Sequence, residues 1–284
     1  MLYGTLHLHQ QQYNENQSRS ARKFYIRGHQ VKYDEFLELL KYRRSIRKFK
    51  ADPVPDEYIM KILDAAHYAM SGANSQPWEF IIVKDPKIKG EIFNAYLQDF
   101  ELTYYLEQQR IPRYRHPVFD LPPEEKDKAR AMAASWKDAP VYIIVLEDCR
   151  KQFGSALSAR ADFPAASLSV LGSTMGHLSM TIQLAVASLG LGSQRVDIQT
   201  QEAYRQILKY PEPLRLNIIV PIGYRAYELG PPHRIPLENL VHFEQYDMSK
   251  YMRNEDFLKY LDKIRALGRP GYRAALGMRG NEGK

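Results

Sequence analysis

Arg43, Arg44, Ser45 and Arg47, in the heptapeptide RRSIRKF, are side chains suited to chemistry with an anion. Where a chain leaves a helix and becomes extended, residues two apart point the same way, so Ser45 and Arg47 can face one point with Arg43 behind them. Guanidinium groups offer planar paired donors and the hydroxyl adds another, a fork that suits phosphate. The same cations could instead serve the carbonyls and dipole of a helix they terminate, and spacing alone leaves both readings open. A second stretch, SGANSQPWEFIIV at residues 71–83, joins small and amide side chains to a Pro-Trp pair and an apolar run. Gly72 and Ala73 let a backbone approach a flat ligand, while Ser71, Asn74 and Gln76 carry donors and acceptors able to read the edge of a heteroaromatic ring. An ordinary Ser- and Asn-rich turn, with Trp78 as a core anchor, has the same composition.

The elements that must position these groups follow from periodicity. YDEFLELLKYRRS has apolar Phe36, Leu39 and Leu40, with acids early and bases late, and predicts a helix ending in the arginines. PDEYIMKILDAAHYAM predicts a second helix, with Ile59, Ile62, Leu63, Ala66 and Ala69 on one side. Phe80 to Val83, PVYIIVLE (140–147) and LRLNIIVPIGY (214–224) read as buried strands. PKIKGEIFNAYLQDFELTYYLEQQR predicts another helix, and the four prolines of IPRYRHPVFDLPP an irregular candidate lid. AASLSVLGSTMGHLSMTIQLAVASLGLG is small or apolar almost all round, which predicts a helix buried on several sides and ending at Gly190 and Gly192. An amphipathic helix is expected in MSKYMRNEDFLKYLDKIRALG. Strands and helices mix without regular alternation, repeat or clean linker, so the class is α+β: an N-terminal arm at 1–32, a core domain at 33–243 and a C-terminal extension at 244–284.

Of 284 residues, 44% are hydrophobic and 12% aromatic, enough for a sizeable core, and no run reaches the roughly 18–20 apolar residues of a membrane span. The N-terminus lacks a secretory pattern, so a cytoplasmic location is the default expectation. The single Cys149 rules out an internal disulfide framework, and eight scattered His without a carboxylate-backed pair leave a metal site unsupported. The net charge of +7 arises from interspersed acids and bases, and no interleaved basic and aromatic motif points to nucleic acid.

Taken together and in order, RRSIR, SGANSQPW, the helix at 165–189, GLGSQRVD, VPIGYRAYE and HRIPLENLV resemble the FMN-dependent nitroreductase superfamily across residues 33–243. The Ser-Gly-Ala start of the loop, with Glu101 and Tyr105 in ELTYY, resembles the iodotyrosine deiodinase-like branch most closely. The resemblance implies a nitroreductase-like mixed sheet flanked by helices, in a domain-swapped homodimer with two FMN sites between subunits. It implies that Arg43, Arg44, Ser45 and Arg47 hold the FMN phosphate and ribityl end together with Arg234. Ser71, Gly72 and Asn74 would line the isoalloxazine ring, and the backbone of Arg195, Val196 and Asp197 would pass its N5 edge, with Ser193 a nearby donor. Ala73, Glu101 and Tyr105 would meet the substrate. The lid lysine of that branch falls here on Ala133, with Lys128 and Arg130 nearby, and Trp136 in a helix at 124–137 would close over an aromatic substrate.

The implied activity is that of an FMN-dependent oxidoreductase, NAD(P)H-linked, reducing a small aromatic substrate of the nitroarene, quinone or halophenol type by ping-pong chemistry. The flavin, and no catalytic side chain, would carry the difficult step. A flavin-binding or flavin-consuming protein of the same fold, without that turnover, would share the arginines.

Overall fold

Pro55, followed by Asp56 and Glu57, opens one helix, and Asp85 opens another by accepting from Ile88 N at 2.9 Å just ahead of Pro86. Both use the preference for proline and acid at a helix start, where backbone N–H groups lack partners. In the computed structural model, which describes residues 32–108, 135–151, 164–230, 232, 234–260 and 263, the elements run α1 (Tyr33–Tyr42), α2 (Asp56–His67), β1 (Trp78–Val83), α3 (Pro86–Gln108), β2 (Val141–Asp148), α4 (Pro164–Ser188), β3 (Gly192–Ser193), β4 (Val196–Asp197), α5 (Glu202–Leu208) and β5 (Leu214–Gly223). The chain divides into two units, Met1–Glu38 and Leu39–Lys284. In the first, the described residues begin α1, with Lys32 and Glu35 paired at 3.6 Å on an exposed surface. The second holds the sheet.

β2 is buried at every position, which is why its residues 141–146 are apolar without alternation. Its odd-numbered Val141, Ile143 and Val145 pack with Ile59 and Ile62 of α2 and Leu178 and Ile182 of α4. Its even-numbered Tyr142, Ile144 and Leu146 pack with Ile92 and Phe93 of α3 and Tyr204 of α5. The result is a helix–sheet–helix sandwich in which each fully buried Ile or Leu contributes roughly 1.5–3 kcal/mol. Strand order is β1-β2-β5-β3, with β4 also on β5. The sheet expected to be mixed is antiparallel in every ladder among the described residues. Its parallel part is one bridge, Ser45 to Ser193, because the chain leaving α1 touches β3 only there before Phe49 pairs antiparallel with Arg225.

β3 and β4 keep a single register on β5: Gly192 opposite Gly223 and Ser193 opposite Ile222, then Val196 opposite Ile219 and Asp197 opposite Ile218. The break between them falls opposite Pro221, whose carbonyl accepts from Gln194 N at 3.4 Å. A strand residue sends its N–H and C=O to the same side, so the N–H that proline lacks is the one that would have closed this pair.

Two helices are less enclosed than their composition predicts. α1 buries none of its residues, and Phe36 is exposed. α4 faces the core with Leu171, Met175, Leu178, Ile182 and Val186, but Val170, Ser173, His177 and Met180 form an exposed stripe at helical spacing. Past the sheet, Leu237, Leu240, Phe243 and Tyr246 are exposed. Asp247 then caps the turn Met248–Lys250 by accepting from Ser249 N at 2.9 Å, and residues 254–260 are helical. Among the described residues no helix is long and apolar enough to cross a membrane.

A β-carbon added at Gly192 would lie 2.8 Å from Ile46 Cγ1, and Ile46 is fully buried. Gly192→Ala is therefore expected to lower the unfolding free energy by about 1–3 kcal/mol, the usual cost of overpacking. Urea denaturation checks this through a lower midpoint at unchanged slope.

Candidate functional site

α1 ends at Tyr42, and the residue that serves its terminal carbonyl is distant in sequence. Arg225 Nη2 donates to Tyr42 O at 3.0 Å, its guanidinium lies 3.6 Å from the centre of the Tyr42 ring, and Nε donates to Leu191 O at 3.4 Å. Arg43 and Arg44 have other partners. Arg43 Nη1 donates to Gln183 Oε1 at 3.2 Å, and Gln183 is held by donating Nε2 to Ser179 O and Oγ at 3.3 and 3.2 Å. Arg44 Nη1 donates to the Gly230 carbonyl. Of the two readings that spacing left open, helix termination therefore describes Arg225 better than the arginines that follow α1.

These guanidinium groups oppose one another. Burial first, and then the charge of Arg234, lowers the pKa of Arg43. Arg44 is lowered by burial, then by Arg234 and Arg43, with Tyr227 acting in the opposite sense. Arg43 Nε is buried without a hydrogen-bond partner among the described residues. An unpaired buried donor costs about 1–3 kcal/mol, and cations gathered at this expense are chemically suited to an anion. Ile46, between Ser45 and Arg47, points into the core, which turns its two neighbours to the other face. Ile46 N donates to Ser193 O at 2.8 Å and Arg47 N to Tyr227 Oη at 3.2 Å, so backbone pairing fixes this segment to β3 and to the chain beyond β5.

The loop before β1 is strained. Ala73, Asn74 and Gln76 all have positive φ, 51°, 54° and 45°. Asparagine tolerates that region, but a side chain such as alanine's costs roughly 1–2 kcal/mol there. Local bonds hold the shape: Gln76 N donates to Ser71 Oγ at 3.1 Å, Asn74 N to Ser71 O and Ser75 N to Gly72 O at 3.0 Å each. Asp148 N donates to Pro77 O at 2.7 Å, tying the loop's end to the sheet. Gly72 lies against α4, where an added β-carbon would meet Val170 Cγ1 at 2.7 Å, and its N–H donates to Thr174 Oγ1 at 3.4 Å.

On the far side of β3, Val196 is buried while Arg195 and Asp197 point outward, Arg195 Nε donating to Asp197 Oδ1 at 2.8 Å. Glu101 and Tyr105 lie on α3 at positions whose backbone alone is described. Ala133, Lys128, Arg130 and the proline-rich candidate lid fall outside the described residues. Trp136, expected to close over a substrate, is instead a core residue: it is fully buried in the turn Ser135–Asp138, edge-on to Phe93, Tyr96 and Tyr142. Sequence reading also missed Gln183, Arg225 and Tyr227. Only the Arg and Tyr of VPIGYRAYE, next to a strand end, offered a signal for any of them.

Arg43, with the charges of Arg44 and Arg234 in range, lies to one side of α4, and the Ser71–Gln76 loop, through Gly72, to the other. Gln183, which holds Arg43, and Thr174, which meets Gly72, are two and a half turns apart at about 3.6 residues per turn, hence on opposite flanks of the helix. The exposed stripe of α4 lies between those flanks.

A family model, that of the nitroreductase family, matches residues 40–224. A protein of Thermus thermophilus named NADH dehydrogenase is 30% identical over 213 residues, 70% of this chain and 91% of its own length. An iodotyrosine deiodinase of Thermotoga neapolitana is 29% identical over 197 residues, 66% of this chain and 87% of its own. Among solved structures, an FMN-dependent nitroreductase of Clostridium difficile is similar with a TM-score of 0.51 and 25% identity, over 74% of this chain and 99% of that one.

Relieving the left-handed backbone at Ala73 should stabilise the fold. Ala73→Gly is expected to raise the unfolding free energy by about 1 kcal/mol, and Ala73→Val to lower it by more than that, both read by urea denaturation.

Proposed function

The chain belongs to the nitroreductase family, and from that premise we propose that it is an FMN-dependent oxidoreductase that reduces a small aromatic substrate of the nitroarene, quinone or halophenol type. The observation that carries the reading is the group formed by Arg43, Arg44 and Arg234, whose charges depress one another and which includes the unpartnered buried Nε of Arg43. A phosphate is the anion whose shape and charge suit such a group. The relatives named NADH dehydrogenase and iodotyrosine deiodinase, and the FMN-dependent nitroreductase of similar structure, support the same reading. The reductant we propose is NAD(P)H, and the lone Cys149 suits a cytoplasmic protein.

In this reading Arg43, Arg44, Ser45, Arg47 and Arg234 hold the FMN phosphate and ribityl end, and Ser71, Gly72 and Asn74 line the ring while the Arg195–Asp197 backbone passes its edge. FMN, when bound, supplies the electron transfer between reductant and substrate, which take turns at one site. The protein's work is to bind, orient and exclude water. Gly72, without a side chain, lets the loop lie against α4, and the left-handed turn at Ala73 fixes the backbone on which the substrate would rest. Glu101 and Tyr105, four apart on α3, share a face and would grip a phenolic substrate's polar end.

The working unit in this reading is a homodimer. One chain keeps its arginine group and its Ser71–Gln76 loop on opposite flanks of α4, so a site using both draws on two copies. The stripe Val170, Ser173, His177 and Met180, and the exposed Leu237, Leu240 and Phe243, offer the apolar and small surface that a second copy would cover.

Purified protein is expected to take up FMN. Arg44→Ala with Arg234→Ala is expected to weaken that binding by about 100-fold or more, since each charge-assisted bond lost is worth about 1.5–3 kcal/mol, with circular dichroism unchanged. A chain that cannot be loaded with FMN overturns the reading. Glu101→Gln should weaken binding of a phenolic amino acid to the FMN-loaded protein by about tenfold, and an unchanged titration would remove Glu101 from the site.

A further inference from the structure

Asp99 is a buried carboxylate that the proposed chemistry leaves unused. It sits on α3, 5% exposed. Its Oδ2 accepts from Gln199 N and Thr200 N at 3.3 Å each and from Tyr204 Oη at 3.0 Å, and its Oδ1 accepts from Thr200 Oγ1 at 2.6 Å. A carboxylate group suits four donors because it offers acceptor positions on both oxygens, whereas a carboxamide would turn an N–H toward some of them. Burial, and then the charge of Asp99, raises the pKa of Tyr204 and keeps that hydroxyl a donor.

Three of the donors, on Gln199 and Thr200, belong to the short stretch between β4 and α5, the continuation of the Arg195–Asp197 backbone, and the fourth, Tyr204, lies on α5 itself. The acceptor belongs to the helix that carries Glu101 and Tyr105 within the following two turns. Capping of α5 alone does not require this arrangement: the residue at its N-terminus, Gln201, makes no side-chain cap, and the carboxylate comes from 100 to 105 positions earlier in the chain. One side chain therefore links the backbone assigned to the flavin edge with the helix assigned to the substrate.

We infer that Asp99 is a positioning residue that sets the spacing between the flavin edge and the substrate grip, so that loosening it disturbs cofactor and substrate together. The inference rests on the proposed FMN site. Four donors on one carboxylate tie the two segments together on the α3 side, while Ile198 against the core and the bonds of Gln201 to Leu216 hold the stretch after β4 to β5.

The test compares wild type, Asp99→Asn, Thr200→Val and Tyr204→Phe as FMN-loaded proteins. Amide exchange at Gln199 and Thr200 reports the bonds themselves, and is expected to rise about tenfold in Asp99→Asn. The affinities for oxidised and reduced FMN, and the KM for a nitroarene and for a halotyrosine, report the site. The ratio of the two FMN affinities and at least one KM are expected to change about tenfold in Asp99→Asn, with smaller changes of the same sign in Tyr204→Phe. Faster exchange with an unchanged FMN ratio and unchanged KM would show that Asp99 serves the fold alone and overturn the inference. If Asp99→Asn does not fold, Thr200→Val and Tyr204→Phe, which keep the carboxylate, decide by the same measurements. A wild-type chain that takes up no FMN overturns the flavin reading and this inference with it, while an FMN-loaded variant with wild-type ratio and KM overturns this inference alone.

Discussion

The main-chain pairing of β5 is the constraint on which the rest depends. Its residues pair with β2 along one edge and with β3 and β4 along the other. Past Gly223 the same direction continues, with Lys50 N donating to Tyr224 O at 2.9 Å and Ala226 N to Lys48 O at 3.2 Å. A strand covered on both faces cannot slip by one residue without exchanging its two apolar sets. The one place where it does exchange them is a bulge. Leu214 and Leu216 share a core with Ile219, while Ile218, Val220 and Ile222 face the other. The shift falls opposite Val145 and Leu146, at Asn217, whose Nδ2 donates to Glu147 Oε2 at 2.7 Å. The segment bearing Ser45 and Arg47 is thus registered against a frame whose alignment is set by buried side chains.

That rigidity lets the chain hold two unfavourable local arrangements. Guanidinium groups are brought within range of one another's charge, and a loop keeps three left-handed residues that are not glycine. Each costs free energy that the layers of β2 and β5 offset, and each stays where it is because its neighbours are fixed: Arg43 by Gln183, the loop by Pro77 on β2. Stored repulsion and strain of this kind collect where a ligand is to be met. Pro221 belongs with them, since its missing N–H interrupts the edge strand at Gln194 and takes Arg195 out of the ladder without moving the register.

Much of the fold was legible in the sequence because burial leaves a local mark. An apolar β-branched run such as PVYIIVLE has few uses other than a covered strand, and Gly190 ends α4 as its left-handed φ of 73° requires. What could not be read depends on partners far along the chain. RRSIR declared its residue types but not its contacts, because the carbonyl at the end of α1 is served by Arg225, 183 positions away. The composition of α4 announced close packing all round, yet which face its own chain covers is decided by where α2 and the sheet lie. Trp136 carried no periodic signal, so a core indole passed for a lid. Asp99, one of four acids in α3, reads as surface until Gln199, Thr200 and Tyr204 are folded onto it.

The two flanks of α4 bear on how binding and assembly depend on each other in the proposed homodimer. A ligand whose phosphate is held by one copy and whose ring is lined by the other binds the pair and not the separate chains. By mass action its binding free energy then adds to the stability of the pair, in proportion to the logarithm of ligand concentration over its dissociation constant. The mutual repulsion among the arginines would work in the same direction, because a bound anion would lower it. In that homodimer, association without the ligand would draw, among the described residues, on the exposed stripe of α4 and the exposed side chains beyond β5. In the proposed homodimer, cofactor occupancy and subunit pairing would in this way be two readings of one equilibrium, with α4 as the element common to both.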